Sequence, residues 1–275
     1  MPEIVIHGIA SAAYLVLAWH FWNTRWSKGK SAPAPLRARP WERAAMLLPI
    51  VLHGALLYRD LFIAPELRFG FAQALSVMMF LAVAMCWLEG LLYPIEVLYP
   101  LVLAAGALCA PLPAFFAGRT LADAVSFEFR LHLLFGMLAY SLFTVAMLHA
   151  LLIARVERRL HAAPGLGGPL AGLPPLLSLE RVVFGLIAAA FAVLTLTLGL
   201  GIAYSEAFLG RAMRFEHKTV FVVLSWLIFG LLLAGRWRYG WRGRTALRWT
   251  LTGFVLLMLA YPGSRFVLEV LLHRA

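Results

Sequence analysis

Charged residues and cysteines are both scarce in this chain of 275 residues. Only 13% of the residues are charged and 63% are apolar, which excludes an ordinary soluble domain. The two cysteines, Cys86 and Cys109, form no Cys-x-x-Cys pair, so neither thiol–disulfide exchange nor a zinc site is indicated. The sequence also lacks a Gly-rich phosphate loop, a Ser-His-Asp order and a paired-carboxylate motif. We therefore predict no enzymatic chemistry.

Long apolar runs occupy most of the sequence. A helix needs roughly 20 apolar residues to cross the hydrocarbon core, and its backbone groups must be satisfied within the segment. We therefore predict an all-α, polytopic integral membrane protein and treat residues 1–275 as a single membrane domain. About eight transmembrane helices are expected, at 3–22, 41–63, 69–88, 91–112, 131–154, 181–204, 219–236 and 246–271. The fourth run contains Pro94 and Pro100 and is expected to form a tight hairpin with the third.

Basic residues are concentrated between alternate runs. The stretches 23–43, 155–181 and 236–248 hold 15 of the 24 lysines and arginines. The positive-inside rule assigns these loops to the cytoplasm, and eight spans then leave both termini periplasmic. We interpret the net charge of +11 as topology and contact with anionic membrane lipids. No folded basic surface is predicted, so nucleic acid is not an expected partner.

Three histidines are predicted to share one depth at the periplasmic side: His132, His217 and His273. An imidazole in or beside a bilayer costs free energy, so several at one level indicate a metal or metallocofactor. A haem iron accepts one neutral imidazole on each face of its macrocycle, and separate helices can supply both. His53, in the middle of the second run, is expected instead to bond a neighbouring helix. No role is predicted for His20, His149 and His161.

Arg265 is predicted to lie about two turns inside the periplasmic end of the last helix. An arginine at that depth faces the bundle and finds an anion or water. A haem propionate is one such anion, which the planar guanidinium would bind with two hydrogen bonds. The alternatives are snorkelling to the surface or pairing with a protein carboxylate, namely Glu206, Glu216 or Glu269.

Several stretches of the sequence resemble a known family. The run LHLLFGMLAYS at 131–141 resembles the histidine-led helix of the cytochrome c assembly family, the CcsA/CcmC/HemX group. The later stretches 218–229 and 240–254, followed by His273, resemble the closing part of that family in order. The cues LPPLLSLER at 173–181, GWRGR at 240–244 and GSR at 263–265 are similar to its YpjD-like inner-membrane branch. The resemblance covers 131–273 and is weaker over 1–112.

What the resemblance implies is a haem-binding protein of the bacterial inner membrane. It implies cytochrome c-type biogenesis or haem trafficking, haem b as cofactor, and cytochrome c assembly components as partners. By position, His132 and His273 match the two haem-iron ligands of the family, with His217 as an alternative ligand and Arg265 as a propionate clamp. One departure stands out: the outer loop 205–218 contains no tryptophan, whereas the relatives have a tryptophan-rich loop there.

Two other functions stay open at this point. One is a non-haem membrane scaffold or regulator of the HemX-like kind, which the missing tryptophans favour. The other is a small-solute transporter, in which Glu89 and Glu96 would act as a coupling pair near the cytoplasmic side.

Overall fold

The predicted fold class is confirmed by a computed structural model, which describes residues 2–27, 37–64, 66–93, 96–121, 127–162, 173–209 and 217–272. Eight helices in these ranges are long and apolar enough to cross a membrane. They cover Ile4–Trp26, Pro40–Ile63, Phe71–Leu92, Glu96–Phe115, Phe129–His161, Leu176–Ala203, His217–Tyr239 and Gly243–Leu271. Each of the eight predicted runs corresponds to one of these helices.

The helices are numbered in chain order. They are α1 Pro2–Phe21, α2 Pro40–Tyr58, α3 Phe71–Leu92, α4 Tyr99–Cys109, α5 Leu112–Phe115, α6 Phe127–Ala162, α7 Leu176–Leu209, α8 His217–Tyr239, α9 Gly243–Met258 and α10 Ser264–Phe266. π-helical turns extend α1 to Ser27 and α2 to Ile63, and two more, Leu259–Gly263 and Val267–Leu271, flank α10. Two short antiparallel strands, β1 Arg68–Phe69 and β2 Arg119–Thr120, pair with each other.

The hairpin between the third and fourth spans differs in detail from the prediction. Helix α3 runs through Leu92, so residues 91 and 92 belong to it and not to the fourth span. The fourth span begins with a 3-10 turn, Glu96–Leu98, and Pro100 lies in the first turn of α4. A proline is tolerated there because an N–H in the first turn has no partner within the helix. Pro94 lies outside the described residues.

Four helices from each half of the chain pack together. Helices α1–α4 pack mainly on one another, α6–α9 do the same, and α3 and α6 join the two groups. We call these groups the N-terminal half and the C-terminal half. In the C-terminal half the Phe143 ring stacks on Phe229 with centroids 3.8 Å apart. At the α3–α6 interface the buried Ser141 hydroxyl donates to the carbonyl of Met78, 3.0 Å away. One apolar core runs through both halves.

The two ends of the bundle are distinguished by charge. The described residues of the three arginine-rich stretches, at the ends of α1, α6 and α8 and the starts of α2, α7 and α9, lie at one end, which we call the basic end. Contacts there include Arg25 with Glu42, Trp26 with Val97 and Arg236 with Glu180. The opposite end carries the β1–β2 pair and the starts of α1, α3 and α6. The alternation expected from the sequence is therefore present, and the cytoplasmic placement of the basic end stays a prediction.

Candidate functional site

His132 lies near the start of α6, at the opposite end, with its ring against α7. A Cβ added at Gly201 of α7 would lie 3.1 Å from the ring's Cε1 atom, so the glycine makes room for the imidazole. The Nδ1 atom is buried and has no hydrogen-bond partner in the described part of the chain. Buried ring nitrogens are normally partnered. The ring is also in hydrogen-bonding contact with the backbone of Thr197 on α7. A ring nitrogen without a partner is available to a ligand, so His132 is one residue that could hold a haem iron.

The other two predicted histidines give less structural information. His217 is the first residue of α8 and is exposed at the opposite end, which agrees with its predicted depth. His273 lies outside the described residues. The last span, which leads toward residue 273, packs through α9 against α6, the helix that carries His132. Among the described residues, no group of three or more His, Cys, Asp or Glu side chains is placed to hold a metal ion.

Arg265 lies in α10 with its guanidinium over the ring of Tyr261, 5.7 Å from the centroid. No described carboxylate lies within 4.0 Å of it. Of the three predicted carboxylate partners, Glu269 binds elsewhere, while Glu216 and the side chain of Glu206 lie outside the described part. The described neighbour of the guanidinium is therefore the Tyr261 side chain, with which Arg265 also forms a hydrogen bond.

Glu269 caps a different helix. Its Oε2 accepts a hydrogen bond from the backbone N–H of Phe71, 3.3 Å away, at the N-terminus of α3. A carboxylate is stabilised there by the free N–H groups and the positive end of the helix dipole. The carboxylate lies directly over Gly70, where an added Cβ would collide with it. This cap fixes the last turn before residue 273, and the sequence analysis did not predict it.

The histidines of the N-terminal half bond neighbouring helices. His53 is fully buried, with its Nε2 2.8 Å from the Ser76 hydroxyl on α3 and its Nδ1 3.4 Å from the Tyr14 hydroxyl on α1. This confirms the structural role predicted for His53. His7 donates through Nδ1 to the carbonyl of Ala110, 2.8 Å away. These imidazoles therefore act as links between helices.

A buried ion pair at the basic end was missed by the sequence analysis. The guanidinium of Arg25 donates to both carboxylate oxygens of Glu42, at 3.1 and 2.7 Å. Both side chains are almost wholly buried, at 4% and 2% exposure. Glu42 also binds the ring of His20, at 2.8 Å, and the backbone N–H of Arg39, at 2.6 Å. His20, for which no role was predicted, thus helps to hold α1 against α2.

Glu89 and Glu96, the suggested coupling pair, have different neighbours. Glu96 accepts a hydrogen bond from the backbone N–H of Ala38, at 2.7 Å. Glu89 faces His149 of α6, with 3.6 Å between its Oε2 and the ring's Nε2. His149 was also given no role from sequence. An ionisable side chain inside an apolar helix was the available signal.

Comparison with known proteins identifies the family. The chain is 38% identical over 143 residues to a 28.8 kDa protein in a nifR3-like 5′ region of Azospirillum brasilense, which is 52% of each chain. It is 32% identical over 143 residues to the inner membrane protein YpjD of Escherichia coli K12, covering 51% of this chain and 52% of that one. It is 27% identical over 86 residues to the cytochrome c biogenesis protein CcsA of Nostoc punctiforme, covering 31% of this chain and 24% of that one.

The chain spans about half the length, or less, of the curated relatives it matches. No solved structure matches it. The family model described as cytochrome C assembly protein matches residues 44–272, which begins earlier than the stretch that the sequence analysis singled out and includes α3, α4 and most of α2. The expected resemblance is thereby confirmed, and the chain belongs to the cytochrome c assembly protein family.

Proposed function

We propose that this protein is a haem-binding inner-membrane protein of the cytochrome c assembly or haem-trafficking type, with no catalytic chemistry of its own. The observation that carries the proposal is the buried Nδ1 of His132, which has no partner in the described residues of a chain from this family. A buried polar atom left without a partner costs free energy unless a ligand binds it. The name of the YpjD relative supports the inner membrane as the location.

His132 and His273 would hold the iron of haem b as axial ligands, with His217 as the alternative ligand. Bound haem would supply an iron that accepts one imidazole on each face. Arg265 would bind a propionate, because no described carboxylate neutralises its guanidinium. Cytochrome c assembly components are the proposed partners, in line with the printed name of the CcsA relative.

The test is an absorption spectrum of the detergent-purified protein after expression with a haem supply. We expect reduced low-spin bands that are lost in His132→Ala and in His273→Ala at unchanged protein yield. The matched control is His161→Ala, because His161 is an exposed histidine of the same helix α6 at the basic end. A haem spectrum that survives both substitutions would overturn the ligand assignment.

A non-haem scaffold or regulator is the second candidate. Two observations favour it: the loop 205–218 has no tryptophan to stack on a porphyrin, and the histidines of the N-terminal half are already hydrogen-bonded within the protein. A colourless, well-folded preparation from haem-supplied cells would support this function over haem binding.

A further inference from the structure

Two unpartnered polar atoms face each other across the α3–α6 interface. The Oε2 of Glu89 lies 3.6 Å from the Nε2 of His149, which is too long for a hydrogen bond. The His149 side chain is fully buried and that of Glu89 is 14% exposed. Neither atom has any other hydrogen-bond partner in the described part of the chain. Such a pair needs an explanation, because buried polar groups are normally satisfied.

The other nitrogen of His149 determines which atom carries a hydrogen. Nδ1 lies 2.9 Å from the backbone carbonyl of Val145, one turn earlier in α6. A carbonyl can only accept, so Nδ1 must carry the hydrogen. In a neutral imidazole, Nε2 then presents a lone pair, and an ionised Glu89 presents lone pairs to it. Two facing lone pairs in a buried site repel and leave both atoms unsatisfied.

We propose that Glu89 and His149 form a proton-binding site that holds one proton in common and exchanges it with the solution at the basic end. The proton bonds either to Nε2, giving an imidazolium beside a carboxylate, or to Oε2, giving a carboxylic acid beside a neutral imidazole. In both cases one proton is taken up, no other bond breaks, and a single N–H or O–H points across the gap. Closing the gap by several tenths of an ångström then gives a charge-assisted or neutral hydrogen bond.

No neighbouring cation replaces this proton. Within the described residues, no lysine or arginine lies within 4.0 Å of Glu89. Its titratable neighbours are Cys86, one turn earlier in α3, and Tyr99 of α4, whose buried hydroxyl lies beside Gly90 and has no partner in that part of the chain.

Two carboxylates further away, Glu96 and Glu180, each lie beside an arginine. Glu96 binds the N–H of Ala38 and lies 4.0 Å from Arg43. On α7, which packs on another face of α6, Glu180 lies 3.6 Å from Arg236. These groups are therefore not available to bridge Glu89 and His149, and a shared proton can do so. The site is also separate from the proposed haem site, because His149 lies near the basic end and His132 near the opposite end.

The experiment locates the proton spectroscopically at neutral pH in the purified full chain. Infrared spectra of the wild type report a carboxylic-acid C=O stretch if the proton is on Glu89. Nitrogen NMR of the chain with ¹⁵N-labelled histidine reports two protonated ring nitrogens if the proton is on His149. We expect to observe one of these two signals. The infrared band should be lost in Glu89→Gln, and the NMR signal should be lost in His149→Asn. An ionised Glu89 beside a neutral His149 would overturn the proposal, because a bridging water would then satisfy both atoms.

The variant Glu89→Gln keeps the test independent of folding. A glutamine amide carries an N–H that can donate to Nε2, so it replaces the shared proton and preserves the packing. We expect Glu89→Gln to unfold at the same detergent concentration as the wild type, whereas Glu89→Ala unfolds earlier. Glu66→Gln is the control, since that side chain is 60% exposed at the opposite end and its substitution leaves both spectra unchanged.

Discussion

The two halves of the bundle use histidine in different ways. In the N-terminal half, His7, His20 and His53 each bond a group from another helix or the turn that follows it. In the C-terminal half, the Nδ1 atoms of His149 and His161 donate to carbonyls of their own helix, and the Nδ1 of His132 is buried without a partner in the described residues. The comparison indicates that the first half uses imidazoles as links between helices. In the described part of the second half, the Nδ1 of His132 and the Nε2 of His149 are buried and make no such hydrogen bond.

The largest effect is expected from Glu42→Ala in the N-terminal half. The substitution leaves Arg25 buried without its carboxylate, which typically costs about 3–5 kcal/mol. Unfolding in mixed detergent micelles measures the loss. The matched control is Asp60→Ala, because the Asp60–Arg59 pair is about one third exposed and is expected to be worth no more than about 1 kcal/mol. Equal losses of unfolding free energy in the two variants would contradict the claim that the buried ion pair contributes more to stability than the exposed one.

The next effect concerns the cap that joins the two halves. Gly70→Ala places a Cβ against the Glu269 carboxylate, which must then move away from the Phe71 N–H, and the loss of a helix cap of this kind costs about 0.5–2 kcal/mol of unfolding free energy. In haem-supplied cells we also expect lower haem occupancy, because the turn before His273 is displaced. Gly199→Ala in α7 is the control, since a Cβ there meets nothing within 4 Å. If Gly70→Ala left the stability unchanged, the Glu269 carboxylate would be able to move away from the start of α3 without a cost in free energy.

A third prediction tests the comparison of histidines directly. A double-mutant cycle of His53→Leu and Ser76→Ala should give a coupling energy of about 0.6–1.7 kcal/mol, as for other hydrogen bonds between helices in membranes. In haem-free protein, His132→Leu should cost less stability than His53→Leu, because its Nδ1 has no hydrogen-bond partner in the described residues and its ring is held only by the backbone of Thr197 there. Detergent unfolding of the four proteins of the cycle and of His132→Leu provides the measurement. If His132→Leu destabilised the protein as much as His53→Leu, both histidines would serve as links between helices.

The smallest effect on stability is expected for Arg265→Ala. No described ion pair is lost, so the free energy of unfolding should fall only by the small contribution of the contact with the Tyr261 ring. Haem occupancy should fall while the low-spin bands keep their positions, because a propionate contact is removed and the axial ligands stay. The ratio of haem absorbance to protein measures occupancy. Full haem occupancy in Arg265→Ala would show that the guanidinium only packs against its neighbours and does not bind a propionate.

The number and order of helices follow from hydrophobic length, so the sequence predicted them well. The ends were less predictable, because backbone bonds extend a helix beyond its apolar run. Helix α1 continues past residue 22 to Ser27, where the indole N–H of Trp26 donates to the carbonyl of Val97. Likewise α3 passes residue 88 and ends at Leu92. Partners 71 residues apart in the chain cannot be read from a local run of hydrophobicity.

The sequence predicted at which end of the bundle the candidate residues lie, but it did not predict which neighbouring helix their side chains face. Counting residues along a span gives depth, which placed His132, His217 and Arg265 at the correct end. Direction depends on how a helix is rotated, and one residue changes it by about 100° because a turn holds 3.6 residues. Glu269 was therefore weighed as a partner of Arg265, although the structure turns it to the start of α3. The partners of His20 and His149 were missed for the same reason.

The Glu269 cap has a consequence for biosynthesis. Phe71 and Glu269 are 198 residues apart, so the start of α3 leaves the ribosome long before its cap is made. At ordinary translation rates, that interval is roughly 10 to 40 s. During this time the Phe71 N–H at the start of α3 lacks the Glu269 carboxylate as its partner. The start of α3 therefore acquires this cap only after the span that carries Glu269 has been synthesised, so the third span reaches its final hydrogen bonding late in translation.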